Sequence, residues 1–230
     1  MHRLREELKE ERTACINRIR GLLSEFGIVF AQRPRVLRER LSDVIEDASN
    51  EIASMARLVI QRAQELWREL VEHIDWCDQR ISAHNKDDEA VQRASKLLGV
   101  GPITASALVA TVGDFKHFRN GAQFGAWLGL TPKQNSSGGK TTLGGMPKRG
   151  DMYLRMLLIQ AARSAVLSAH RRTDPISKWL QRLRERSGWQ VAAVALANKN
   201  ACILWAVMTK GRDFDPHHAG VRPGSPAMVT

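Results

Sequence analysis

The start of the chain carries apolar side chains at alternating three- and four-residue steps, which predicts an amphipathic helix. This first stripe consists of Leu4, Leu8, Cys15, Ile19, Leu22 and Phe26. Gly27 follows the stripe and Arg33-Pro34 marks a turn, so we expect the helix to end there. The stripe begins almost at Met1 without a capping residue before it, as expected when a chain starts inside a helix.

A second stripe runs from about Val36 to Ile81 and keeps a heptad rhythm without Gly or Pro. Its members are Leu41, Ile45, Ala48, Ile52, Met55, Val59, Ala63, Leu66 and Leu70. The pattern predicts one continuous helix of about 65–70 Å, at about 1.5 Å per residue. Two such helices joined by a turn predict a long antiparallel helical hairpin or a dimerising coiled coil over residues 1–86. Simple core packing would also explain the apolar positions.

The pattern changes after the polar break at residues 84–88. Residues 87–212 are rich in Gly, Ala and Leu, which predicts a compact domain of short helices and tight turns, including helices at 175–187 and 189–209. Residues 213–230 lack periodicity and are predicted to be a disordered tail. The predicted fold class is therefore mostly α. Four tryptophans lie on apolar faces and are expected in the core: Trp127, Trp179, Trp189 and Trp205.

The net charge of the chain predicts the kind of partner that it binds. With 35 Lys and Arg against 24 Asp and Glu, the net charge is +11, which favours a polyanionic partner such as nucleic acid over a merely solubilising surface. No apolar run is expected to approach the ~20 residues that span a bilayer, so no membrane association is predicted. Isolated cysteines at positions 15, 77 and 202 argue against disulfides and structural zinc, and favour the cytoplasm.

Two glycines lie between apolar helical patterns in the run LLGVGPITASALVATVGD, residues 97–114. They allow a tight turn with exposed amides, and Pro102 suits the first turn of the next helix, whose positive end attracts phosphate. The pattern is typical of a helix-hairpin-helix that contacts the DNA backbone through Gly99, Gly101 and Thr104. The alternative is a helical corner whose glycines only permit close packing.

A second candidate is a loop of about twenty residues that precedes a helix capped by Asp151. It places the hydroxyls of Ser136 and Ser137 among glycines and cations, the setting in which a hydroxyl could attack a phosphodiester. The alternative is ordinary Ser-Gly turn chemistry. The cations predicted to contact DNA are Lys133, Lys140, Lys148, Arg149 and Arg155.

Residues 97–165 resemble the C-terminal domain of insertion sequence 110-type transposases, closest to the 1111 subgroup. The resemblance rests on the run at 97–114, on FxHFRNxxQFxAWLGLTP, on SSGGKTxLGG and on KRGDxYLRxLLI. It implies that Ser137 is the nucleophile that attacks DNA, with Ser136 as the fallback if the register differs by one. It also implies a structured guide RNA as a partner and a bacterial, nucleoid-associated location.

The same resemblance implies an N-terminal RNase-H-like domain with four acidic residues that bind Mg²⁺, and this domain is missing from the sequence. We therefore expect no metal site and no cofactor on this chain, with Mg²⁺ bound only together with the acidic domain. The remaining carboxylates are scattered, and Asp151 and Asp174 stand where helix caps are expected.

Together these features predict a DNA transposition or recombination protein, an insertion-sequence transposase fragment that is inactive alone. The expected partners are DNA, the guide RNA, and further copies in a dimer or tetramer or the full-length transposase. The alternative is a non-catalytic nucleic-acid-binding and assembly module left by truncation. A chromosomal helix-hairpin-helix repair protein is disfavoured because it leaves the Ser-Ser-Gly-Gly-Lys loop unexplained.

Overall fold

The computed structural model describes residues 1–137, 140–147, 149–211 and 213–215. The chain divides into two compact units, residues 1–83 and residues 84–230. The predicted boundary between the two parts was residue 86. Each unit has its own buried apolar cluster.

Unit 1 consists of helices that pack on one apolar cluster. The helices are α1 (His2–Glu25), α2 (Pro34–Glu46) and α3 (Ser54–Asp87), of which α3 continues into unit 2. Arg5 forms an ion pair with Asp78 at 2.5 Å, and the Cys15 thiol lies 3.3 Å from the carbonyl oxygen of Ala63, so α1 runs antiparallel to α3. The buried cluster is Cys15, Ile16, Ile19, Leu23, Leu37, Leu41, Ile52, Ile60, Trp67 and Leu70.

The single helix predicted over residues 36–81 is wrong, because residues 47–53 separate α2 from α3. Asp47 accepts hydrogen bonds from the backbone N–H of Ser49 at 2.9 Å and from its hydroxyl at 2.6 Å. The Arg57 guanidinium donates to the carbonyl oxygens of Ile45 and Asn50. Such side-chain bonds to local backbone compete with the helical ladder. Ile52 lies in this break and still packs in the core. The apolar spacing of the sequence therefore continues where the helix does not.

In its described residues, unit 2 is a helical domain with a small hairpin of strands. Its elements are α4 (Glu89–Ser95), α5 (Pro102–Val112), a 3₁₀ turn (Phe115–His117), α6 (Gly121–Trp127), β1 (Gln134–Ser137), β2 (Lys140–Leu143), α7 (Met152–Ser168), a 3₁₀ turn (Ala169–Arg171), α8 (Pro175–Ser187) and α9 (Trp189–Lys210). The mostly-α prediction is confirmed. Asp151 accepts a hydrogen bond from Leu154 N–H and Asp174 from Ser177 N–H, which confirms both predicted caps.

Helix α9 forms the centre of unit 2 and packs against α6, α7 and α8. By length and composition it is apolar enough to cross a membrane, so the expectation that no apolar run approaches that length is wrong. A single such helix is weak evidence, because core helices pass the same test. In this structure Ala193, Leu196 and Leu204 are buried in the core of unit 2.

The four tryptophans of unit 2 divide into two pairs. Trp179 and Trp205 pack against the core, as predicted. Trp127 and Trp189 are 39% and 40% exposed, so their assignment to the core is wrong. Trp127 lies over the buried Phe124 ring, and the guanidinium of Arg163 lies over Trp189.

The predicted disordered tail begins with three residues that make contacts. Asp213 forms ion pairs with Lys96 and Arg93, and Phe214 packs against the core of unit 2. Disorder is therefore a wrong prediction for residues 213–215. Residues 216–230 lie outside the described part of the chain.

Candidate functional site

The glycine turn between α4 and α5 forms the first part of the candidate site. The Val100 N–H donates to the Leu97 carbonyl oxygen at 3.0 Å, which closes the turn, and α5 begins at Pro102 as predicted. Asn200, 1% exposed on α9, donates its side-chain amide to the Leu98 carbonyl oxygen at 2.9 Å. The core helix therefore fixes the backbone of the turn directly.

The two glycines of this turn are used differently. Gly99 has φ +80°, and a Cβ there would lie 2.9 Å from the Ala161 carbonyl oxygen and 3.0 Å from Ala165 Cβ. Close packing against α7 accounts for this glycine. Gly101 is exposed, has φ −80°, and a Cβ there would meet nothing within 4 Å. Packing therefore explains Gly99 but not Gly101.

A cavity of about 740 Å³ opens beside the turn. It lies between the α4–α5 turn, helix α7 and the start of α8, and Thr104 on the first turn of α5 lines it. Its charged lining residues are Lys96, Arg172 and Asp174. Asp174 is bonded to Ser177 and Arg172, and Lys96 is paired with Asp213 at 2.7 Å.

Asp174 is both the N-cap of α8 and the ion-pair partner of Arg172. Burial raises the pKa of Asp174, but hydrogen bonds from the Ser177 hydroxyl and N–H, together with Arg172, outweigh it and hold the pKa below its usual value. The Asp174 carboxylate is therefore fully used by partners within the protein. The Arg172 guanidinium, 3.1 Å from this carboxylate, is held beside the cavity.

The second part of the site is the segment predicted as a long loop without structure, and that prediction is wrong. Strands β1 and β2 pair antiparallel, with Gln134 opposite Leu143 and Ser137 opposite Lys140. The pairing extends to Lys133, whose carbonyl oxygen accepts from Gly144 N–H at 2.7 Å. Ser137 thus has its backbone at the distal end of β1.

The hairpin is rooted by a close approach of two backbone segments. A Cβ at Gly129 (φ +71°) would lie 2.0 Å from the Arg149 carbonyl oxygen, and one at Gly150 (φ +104°) would lie 2.4 Å from that of Trp127. Arg155 on α7 donates one nitrogen to the carbonyl oxygens of Pro147 and Arg149, both at 3.2 Å. Arg155, predicted to contact DNA, therefore anchors the segment that leads from the hairpin into α7.

Several predicted site residues lie partly or wholly outside this description. The side chains of Ser136, Ser137 and Lys140 are outside the described part of the chain, as is the whole of Lys148. Lys133 and Arg149 are exposed. Their predicted roles stay predictions.

The glycine turn and the hairpin root lie on opposite faces of the same two helices. On α7, Gln160 and Ser164 line the cavity and point about 140° and 180° away from Arg155, at about 100° per residue. On α9, Asn200 contacts the turn, whereas Asn198, about 200° away, lies against Gly125 of α6, the helix that leads to Gly129 at the hairpin root. The structure therefore does not bring the predicted phosphate-binding turn and the serine hairpin together.

Metal binding was not predicted for this chain. Among the residues that the structure describes, no group of three or more His, Cys, Asp or Glu side chains lies close enough to hold a metal ion. The described residues therefore do not fit the Mg²⁺ site that the resemblance implies for the family.

Several residues of this region were not predicted from the sequence. Lys96, Gln160 and Arg172 line the cavity, and Asn200 holds the turn beside it. Asn200 had a usable signal, since it is a polar residue in the largely apolar sequence of α9. Lys96 and Arg172 had none, because they are two of 35 cations and only folding places them at the cavity.

Comparison with known proteins identifies relatives. Residues 91–176 match the family described as Transposase IS116/IS110/IS902 family. A probable family 20 transposase of Pseudomonas aeruginosa is 44% identical over 218 residues, which cover 94% of this chain and 64% of that protein. The transposase for insertion sequence element IS1111A of Coxiella burnetii is 39% identical over 215 residues, covering 92% of this chain and 58% of that protein.

A third relative, the transposase for insertion sequence element IS1328 of Yersinia enterocolitica, is 37% identical over 214 residues, covering 93% of this chain and 63% of that protein. The chain thus spans about three-fifths of the length of the curated relatives it matches.

Proposed function

Since the chain belongs to the IS116/IS110/IS902 transposase family, we propose that it takes part in DNA transposition, binding DNA through the glycine turn and carrying the serine that attacks it. The serine would be Ser137, with Ser136 as the fallback. Lys133, Lys140, Lys148 and Arg149 would stabilise negative charge at the phosphate.

The observation that supports the serine assignment best is the anchored hairpin. Nucleophiles need a fixed approach to the phosphorus atom, and a two-stranded hairpin is marginal alone. Here the interlocked Gly129 and Gly150 backbones and the Arg155 hydrogen bonds hold the root of the hairpin. Ser137 thereby sits on an anchored element next to a pair of glycines in the sequence, with cations nearby.

In the proposed reaction, the serine Oγ forms a bond to phosphorus and the bond from phosphorus to the sugar oxygen breaks. The serine proton leaves to a base, and the freed sugar oxygen takes up a proton. Attack by a second DNA end reverses these steps and regenerates the serine. Since no metal cluster is found among the described residues, we assign no step to a metal on this chain.

A covalent-adduct assay tests the nucleophile. End-labelled insertion-sequence DNA is incubated with Mg²⁺, the guide RNA, this chain and a separately supplied acidic domain of a relative. We expect a denaturation-resistant protein–DNA adduct that Ser137→Ala abolishes and the neighbouring control Ser136→Ala leaves in place. Loss only in Ser136→Ala would move the assignment by one residue. Adduct formation in both single variants would refute the serine mechanism.

DNA binding by the turn has a separate test. Gly101 offers open space at the N-cap of α5, where Asp is a favourable residue, so Gly101→Asp keeps the fold while placing a carboxylate at the proposed phosphate position. We expect affinity to fall about tenfold, since a like charge replaces a phosphate contact. Gly21→Asp, at an exposed and open position on α1, is the control. Equal losses in both variants would refute a specific role of the turn.

A non-catalytic nucleic-acid-binding and assembly module is the second candidate function. It is supported by the net charge of +11, which suits a nucleic-acid partner whether or not the chain cuts DNA. If DNA or guide RNA is bound but no adduct forms with any acidic domain, this function replaces the first.

Assembly with further copies, as a dimer or tetramer, is also proposed. Exposed apolar side chains form one stripe along α3: Met55, Leu58, Val59, Leu66 and Trp76. Such a stripe is suited to packing against a second helix of the same kind. Leu66→Glu should shift the molar mass measured by light scattering toward the monomer, whereas Glu72→Gln should not. A monomeric wild-type chain at micromolar concentration would refute the proposal.

A further inference from the structure

The segment after α9 returns to the cationic side of the glycine turn. Gly211, in the left-handed conformation with φ +63°, ends α9. One Asp213 carboxylate oxygen then accepts from Lys96 Nζ at 2.7 Å, and the other lies 3.5 Å from Arg93 Nε. The hydrogen bond and charge of Lys96, with a smaller effect of Arg93, hold the pKa of Asp213 below its usual value.

Phe214 follows and enters the neighbouring space. Its half-buried ring lines the 740 Å³ cavity and packs against the core of unit 2. The apolar wall beside it includes Leu157 and Ile176, while Gln160 and Ser164 supply hydrogen-bonding groups. The carboxylate that Lys96 and Arg93 bind is therefore followed at once in the chain by an aromatic ring that borders the cavity.

Asp213 and Phe214 together offer the two kinds of group that a nucleotide has, an anion and an aromatic ring. A carboxylate on Lys96 and Arg93 stands where a phosphate would form charge-assisted hydrogen bonds. The Phe214 ring borders the recess and covers apolar surface on which an unstacked base would stack. We propose that the cavity binds one nucleotide unit of a single nucleic-acid strand, and that in the free protein Asp213 competes for its phosphate position and Phe214 for its base position.

The contact is suited to displacement. The Asp213 carboxylate is 61% exposed and Lys96 53% exposed, and ion pairs at such exposure contribute little to stability. A strand that contacts the turn at several phosphates releases counterions at each of them, so it outcompetes a single carboxylate. The segment therefore raises the affinity that a strand needs in order to enter the cavity.

The inference rests on the proposed DNA-binding role and is tested in the full chain. Fluorescence anisotropy measures the Kd for a labelled 20-nucleotide oligothymidine and for a duplex of the same length. Asp213→Asn removes the competing carboxylate and keeps its shape. We expect it to tighten single-strand binding about two- to fivefold, the range set by one exposed ion pair, with a smaller effect on the duplex.

Two matched variants isolate the cause. Glu72→Gln makes the same charge change at an exposed site on α3 and should leave Kd unchanged. Lys96→Gln removes the cation that both ligands share. It should weaken binding, and adding Asp213→Asn to it should give no further gain, because the two effects act on one contact.

The outcomes distinguish a failure of the proposed competition by Asp213 from a failure of the proposed DNA binding. Binding that Lys96→Gln weakens but Asp213→Asn does not change would overturn the competition while leaving DNA binding intact. Equal gains in Asp213→Asn and Glu72→Gln would likewise overturn it, because the effect would be net charge alone. If no variant binds either probe, both the competition and the proposed DNA binding are wrong.

Discussion

Gly129→Ala tests whether the hairpin is held by the close approach at its root. The substitution adds one methyl group at φ +71°, where its Cβ would lie 2.0 Å from the Arg149 carbonyl oxygen and 3.0 Å from Arg155 Nη1. Since ordinary contacts begin at 3.4 Å, the two segments must separate by more than 1 Å. That movement would also stretch the Arg155 hydrogen bonds to the carbonyl oxygens of Pro147 and Arg149.

The expected cost has two components. The left-handed backbone of a non-glycine residue costs about 1–2 kcal/mol. Overpacking and the weakened charge-assisted hydrogen bonds of Arg155 add about 2–3 kcal/mol. We therefore expect the free energy of unfolding of unit 2 to fall by about 3–5 kcal/mol, and the covalent-adduct yield to fall further because the serine strand loses its anchor.

Urea denaturation measures the loss of unfolding free energy, and amide hydrogen exchange in α6 and α7 measures it locally. Gly211→Ala is the control, because Gly211 also has positive φ but a Cβ there would meet nothing within 4 Å. It should cost about 1–2 kcal/mol, the conformational component alone. If Gly129→Ala is no more destabilising than Gly211→Ala, the close approach contributes nothing and the anchoring argument fails.

Three further predictions concern unit 2. Asn200→Ala leaves the Leu98 carbonyl oxygen without its donor and should cost about 1–3 kcal/mol in thermal or urea unfolding; an unchanged midpoint would show that the bond is dispensable. Burial raises the pKa of Asp174, but the hydrogen bonds from Ser177 and the effects of Arg172 together lower it overall. The stabilisation by this carboxylate is therefore complete above about pH 4 and is lost as pH falls below that. Asp174→Asn should flatten this acid-side slope in pH-dependent unfolding and cost about 1 kcal/mol at pH 7. Burial raises the pKa of the half-buried Cys202 thiol, and the charge of Lys199 opposes this with a smaller effect, so alkylation at pH 8 should be slower in the folded chain than in urea; equal rates would contradict the half-buried position.

The helices of unit 2 could be predicted because their signals are local. Pro at the first turn and Asp one residue earlier fixed the start of α8, and Gly188 separates it from α9. The cap at Asp151 likewise fixed the start of α7. Each of these depends on a few neighbouring residues, so no knowledge of the tertiary structure was needed.

The wrong predictions fall in segments whose conformation depends on tertiary contacts or on hydrogen bonds of polar side chains. The Asp47–Asn50 segment breaks a stripe whose apolar spacing continues, because its bonds are to the backbone and leave no trace in hydrophobic periodicity. The hairpin at 134–143 was hidden by a composition rich in Gly, Ser and Thr, and its root depends on contacts between residues twenty apart. The contacts of Asp213 and the cavity required the fold itself, since Lys96 lies 117 residues away.

The arrangement of α7 and α9 between the glycine turn and the hairpin root also bears on how such a protein can change over generations. A helix is about 10 Å across, so a substitution on one face rarely disturbs the other, and the effects of well-separated changes add. Residues at the glycine turn and residues of the hairpin are therefore free to diversify separately. A lineage could change the surface of the turn while inheriting the hairpin unchanged.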